Sequence, residues 1–114
     1  MDDRDARSLL AKLDEIEAEL KRIGYWHPDP PDLQREYREG RMRTYLDAPS
    51  FELWLQRVFL PNARVAVEAR DLPANSEVGE MARRQYDYQE FVPEAQELLR
   101  MLRRFDRLVM KATD

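Results

Sequence analysis

The residues able to do chemistry in this chain are few and scattered. His27 is the only histidine among 114 residues, and there is no cysteine. Disulfides, thiolate catalysis and Cys-held zinc or iron–sulfur centres are excluded on that ground. A di-iron bundle needs Glu-x-x-His pairs projecting from facing helices, and none exists. The hydroxyls of Ser8, Thr44, Ser50, Ser76 and Thr113 have no histidine at a spacing that would activate them. The carboxylate pairs Asp14/Glu15 and Glu94/Glu97 are expected on solvated faces, without the cleft that shifts a carboxyl toward acid–base work. Three scattered glycines build no phosphate-cradling loop. The residues therefore offer no recognisable catalytic constellation, and no metal or cofactor is expected.

Aromatics and arginines remain. Tyr25 and Trp26 stand before a run of prolines, where they either close the end of a bundle or form a platform for a partner. Tyr86, Tyr88 and Phe91 are expected to pack under a loop. Arginine far outnumbers lysine. A GC-rich coding sequence explains this as well as a need for bidentate guanidinium chemistry does. Two basic groupings follow: Arg35, Arg38, Arg41 and Arg43, and Arg100, Arg103, Arg104 and Arg107. Each reads either as a solvated face neutralised by nearby glutamates or as a phosphate-contacting surface. The net charge of −4 does not draw nucleic acid to the molecule as a whole.

Helices must position these side chains. Ala6, Leu9, Leu13, Ile16, Leu20 and Ile23 recur at three- and four-residue steps, predicting a helix over 5–24 with one apolar stripe. Its charged residues, Glu19 among them, are expected on the remaining surface. Gly24 is placed to end it. YWHPDPP, with Pro28, Pro30 and Pro31, is an extended connector. Residues 32–49 read as a long loop, apart from a helical turn before Gly40.

SFELWLQRVFLP (50–61) predicts a central helix, apolar on nearly every side and capped by Ser50. Trp54 is read as core, its truncation costing about 3–5 kcal/mol. Glu52 and Gln56, four apart, share a face that points outward or lines a groove. Pro61 forces a kink or a restart. NARVAVEAR (62–70) alternates like a strand, but nothing else in the chain could pair with it, so it is read as helix. RDLPANS (70–76) is a turn. Ser76 is expected to cap a short helix over 77–89, which Gly79 weakens by about 1 kcal/mol relative to alanine. The last helix carries a seam of Phe91, Ala95, Leu98, Leu102, Phe105, Val109 and Ala112. Its acids lie early and its bases late, as the helix dipole favours. The fold class is all-α: one domain over 1–114, a small bundle of about four main helices with a long proline-containing connector after the first.

The block LDAPSFELWLQRVFLP resembles the YqcC-like family of small bacterial helical proteins. The shared features are an acidic residue (Asp47) before a Trp54-Leu55-Gln56 triplet, an apolar group (Val58, Phe59, Leu60) and Pro61. Trp26 followed by the proline connector, and Leu72-Pro73 after the central helix, are also similar. Where the family tends to place an arginine after the proline, this chain has Asn62, with Arg64 two places on. The resemblance implies a helical bundle and no catalytic residues. It also implies a link to tRNA modification, because members neighbour a tRNA pseudouridine synthase in genomes. The catalytic domain of such synthases is larger and sheet-based, so this chain is not expected to be one.

The candidate binding residues are Trp26, Asp47, Glu52, Trp54, Gln56, Arg57 and Arg64. The expected function is a non-enzymatic interaction module with a macromolecular partner, a protein first. The alternatives are an accessory of tRNA pseudouridylation, touching tRNA or an RNA-modifying enzyme, and an enzyme or small-ligand binder using a pocket around Trp54 and Gln56. The charged start MDDRDARS and the lack of a long apolar run predict a cytoplasmic protein without a membrane span. The seams of the terminal helices can pair within the chain or between chains.

Overall fold

The computed structural model describes residues 1–73, 75–88 and 90–113, and every regular element among them is helical. The first, α1 (Asp3–Arg22), starts where the Asp2 carboxylate accepts from the Asp5 amide at 2.8 Å. It ends as its glycine predicts. Gly24 has φ +81°, and the Tyr25 amide reaches back to the Leu20 carbonyl at 2.8 Å. Ala6, Leu9, Leu13, Ile16 and Leu20 are buried as one stripe.

Residues 32–49 hold more structure than a long loop. The helix α2 (Leu33–Arg38) is capped by Asp32 and stopped by Gly40, and a 3-10 turn follows at Tyr45–Asp47. Leu33 and Met42 join Val58 in a small second core. The segment is ordered because it buries its own apolar residues.

The central helix begins at α3 (Phe51–Trp54), with the Ser50 hydroxyl accepting from the Leu53 amide at 3.1 Å. It passes through a π-helical stretch, Leu55–Phe59, into α4 (Leu60–Glu68). Pro61 stands in the first turn of α4, as a restart requires, and the backbone enters that turn through the π-helical stretch without a break. The Leu60 amide reaches the Leu55 carbonyl, one residue further back than in an α-helix. The Arg57 carbonyl, which would ordinarily take an amide from position 61, accepts instead from the Gln34 side chain at 2.7 Å. Residues 62–68 are helical, as the lack of a pairing strand required. Arg70 closes α4 in the left-handed region (φ 56°), where glycine is usual. Its guanidinium holds the Val67 and Glu68 carbonyls at 3.1 Å and Asp3 at 2.8 Å.

The turn expected over 70–76 and the helix expected over 77–89 each include one residue, Ala74 and Gln89, that lies outside the described residues. Within the latter, α5 (Val78–Arg83) continues into a π-helical stretch, Arg84–Tyr88. Ser76 does not cap it. Its hydroxyl donates to Asp106 at 2.5 Å, while the Gly79 amide donates to the other Asp106 oxygen at 2.7 Å. The cap comes from across the packing interface. Gly79 does more than weaken a helix, because a Cβ there would lie 2.8 Å from the Arg103 Cα. The glycine lets α5 approach the last helix.

A 3-10 turn, Pro93–Ala95, leads into α6 (Gln96–Thr113). Leu98, Leu102, Phe105 and Val109 are buried as the seam predicts. Phe91 is not part of it: it lies ahead of the turn and is 60% exposed. Tyr88 is also outside the core, at 71%, and only Tyr86 of that aromatic group packs inside. The terminal seams meet within the chain. The Tyr25 hydroxyl, past the end of α1, donates to Glu94 before α6 at 3.2 Å, so the two helices run antiparallel. On the other flank of α1, Arg64 bonds to Asp14 and Glu17, both at 3.1 Å. No helix among the described residues is long and apolar enough to cross a membrane.

Candidate functional site

Trp54 was expected in the core, and it is only partly buried. It stacks on Phe51 and Phe59, each with ring centroids 6.0 Å away, and meets the edge of Tyr45. Its position explains the exposure. The main core lies on one side and the small Leu33–Met42–Val58 core on the other, and Trp54 touches both. Where those two cores part, a groove of about 340 Å³ opens. Trp54, Phe59, Ala63 and Ala66 form one wall, Val78, Met81 and Phe105 the other, and Tyr37 stands at the margin. Its polar groups, Asn62, Asn75, Ser76 and Glu77, are few. Such a surface suits apolar side chains better than a charged substrate.

Gln56 is absent from this groove. It is 6% exposed and points neither outward nor into the hollow. Its side-chain oxygen accepts from the His27 amide at 2.9 Å, and its nitrogen donates to the His27 carbonyl at 2.8 Å. The face it shares with Glu52 is covered because the proline connector folds back across it. The expected Trp54–Gln56 pocket is thus not assembled.

Glu52 and Trp26 do come together, in a second crevice of about 470 Å³ lined also by Tyr25, His27 and Leu53. Glu52 accepts from the Tyr86 hydroxyl at 2.6 Å. Burial, and then that carboxylate, push the Tyr86 phenol well above its usual range. Burial, with Glu94, pushes Tyr25 up to about 12. Both phenols keep their protons at neutral pH and act as donors, not as bases. Lys21 lies 4.9 Å from the Trp26 ring centroid.

The other candidates are held within the chain. Asp47 accepts from the Arg43 and Thr44 amides at 2.9 and 3.3 Å, and those bonds hold its carboxyl below the usual range. Arg57 donates to the Pro31 carbonyl at 3.3 Å. Arg64 is tied to α1 as described. Glu19, expected on the surface, is 5% exposed beneath the Arg22 guanidinium, which grips it with two bonds of 2.6 Å. Gln34 and Asp106 are structural polar residues that sequence reading missed. Asp106 alone left a signal, an acid beside the α6 seam, four residues from Leu102.

Each arginine grouping is partly paired. In the first, Arg35 pairs with Glu39 at 3.2 Å and Arg41 with Glu36 at 2.6 Å and with Glu39, while Arg38 and Arg43 form no salt bridge among the described residues. In the second, Arg100 pairs with Glu97 at 2.7 Å, but no carboxylate among the described residues lies within salt-bridge distance of Arg103, Arg104 or Arg107. Among the described residues no three metal-ligating side chains cluster.

Residues 8–108 match the family described as DUF446, tRNA pseudouridine synthase C. No curated protein and no solved structure matches the chain. A match over that span of the 114 residues means that this chain belongs to the DUF446 family.

Proposed function

We propose that the chain is a non-catalytic, cytoplasmic interaction module that serves tRNA pseudouridylation by docking on a protein of that process. The observation that carries this reading is the apolar groove beside Trp54. It is open, contiguous with the exposed Tyr37, and lined by side chains that a partner's apolar residues would cover. The family description supplies the process. The polar groups support a scaffold over a reactive centre, because Glu52, Glu94, Asp47 and Asp106 are each engaged by donors of the chain itself. The YqcC-like resemblance belongs to the same proposal. In it, the Trp54-Leu55-Gln56…Pro61 block builds the groove wall, the core and the clamp on the connector.

The test mixes the purified chain with the tRNA pseudouridine synthase of the same cell and measures association by calorimetry. Micromolar binding is expected, and Ala66→Arg, which places a charge in the groove wall, should weaken it at least ~10-fold. Thermal unfolding of the variant confirms that it still folds. The reading fails if the pair does not associate, or if a folded Ala66→Arg variant binds like the wild type.

A further inference from the structure

We infer that the outward face of α6 binds the phosphodiester backbone of tRNA. Arg100, Arg103, Arg104, Arg107 and Lys111 recur at three- and four-residue steps opposite the buried seam of Leu98, Leu102, Phe105 and Val109. They cover about 16 Å of helix at 1.5 Å per residue. Most arginines elsewhere in the chain are spent on carboxylates: Arg22 on Glu19, Arg41 on Glu36, Arg64 on Asp14 and Glu17, Arg70 on Asp3, and Arg83 on Glu80. Arg103, Arg104 and Arg107 are not so paired among the described residues.

Acids adjoin the stripe. Glu80 feels the charge of Arg103, but it pairs with Arg83 and Arg84 on α5. Asp106, next to Arg107 and three residues from Arg103, is turned away: both its oxygens are taken up at the start of α5 by Ser76 and Gly79. The fold thus holds the Asp106 carboxylate at the α5 contact and leaves Arg103, Arg104 and Arg107 exposed. Guanidinium forks hold phosphate oxygens bidentately. The net charge of −4 does not cancel the stripe, because exposed charges beyond about 10 Å are screened at ~0.1 M salt.

The inference rests on the reading above only for the choice of tRNA among polyanions; the surface is separate from the Trp54 groove. The experiment is a fluorescence titration of unmodified tRNA transcript with the full chain at ~50 and ~200 mM salt. If three phosphates are contacted, those contacts alone cost about 30-fold in affinity between the two salts. Arg103→Gln/Arg104→Gln/Arg107→Gln should weaken binding at least ~10-fold at low salt and flatten the salt dependence. The triple lysine variant should retain the salt slope, and Arg35→Gln/Arg41→Gln should bind like the wild type. Absence of tRNA binding, or a glutamine variant that binds unchanged, overturns the inference. So does equal affinity for duplex DNA, for phosphatidylserine vesicles or for an acidic protein in place of tRNA. The glutamine variant should still bind the synthase, so failure here and failure of the groove reading are told apart.

Discussion

The Gln56 amide pairs both ways with the backbone of His27, and in doing so it turns an apolar helix into an anchor for the proline-rich connector. Leucine at 56 would remove both bonds to the His27 backbone. Gln56→Leu should therefore cost about 1–3 kcal/mol, read as a lower urea midpoint at unchanged slope. An unchanged midpoint would mean that water serves His27 equally well. Asp106 predicts an unusual pH response. Burial raises its carboxyl above the ordinary 3.8, against the pull of the Ser76, Gly79 and Val78 bonds. The folded chain thus holds this proton to higher pH than the unfolded chain does. As pH falls through the raised folded value, protonation favours the folded state. The lowered carboxyls of Asp3, Glu17 and Asp47 work the other way: their contribution exists above the unfolded value and fades as pH falls through the folded one. Comparing melting temperatures of the wild type and Asp106→Asn from about pH 7 to about pH 4 isolates the group. The difference should move in favour of the wild type on acidification, and a shift the other way refutes the assignment.

At the scale of elements, the stretch around Pro61 shows a local fault repaired from a distance. The proline removes the amide that the Arg57 carbonyl would take, and Gln34 of α2 supplies a replacement at 2.7 Å. Gln34→Ala should destabilise the chain by about 1 kcal/mol. In a Pro61→Ala background, where a backbone amide returns, the same change should cost less. A double-mutant cycle by chemical unfolding measures that coupling, and strict additivity would break the proposed link. Helix existence was legible in most of the chain. The stripes of α1 and α6, the Ser50 cap and the Gly24 stop depend on neighbours within about one or two turns, and so they are written in local order. The π-helical stretches were not legible, because a widened turn carries no period of its own. Nor was the true cap of α5, since Ser76 and Asp106 are 30 positions apart.

For the whole molecule, three long-range decisions shape the candidate surfaces. The connector folds over Gln56 and removes it from any site. The two cores part beside Trp54 and leave a groove there. Asp106 turns toward α5, where Ser76 and Gly79 hold it, while Arg103, Arg104 and Arg107 stay exposed. Both proposed surfaces are products of packing, which is why their tests pair a surface substitution with a check that the fold survives. The candidate residues Trp26, Glu52 and Trp54 line hollows, while Asp47, Gln56, Arg57 and Arg64 are committed within the chain. By itself the amino-acid order determined an all-α chain with apolar seams on its terminal helices and no thiol chemistry. Those properties follow from residue type and short-range periodicity. Only the tertiary structure decided which polar groups are consumed and which face outward, because each such pairing joins residues that the sequence keeps far apart.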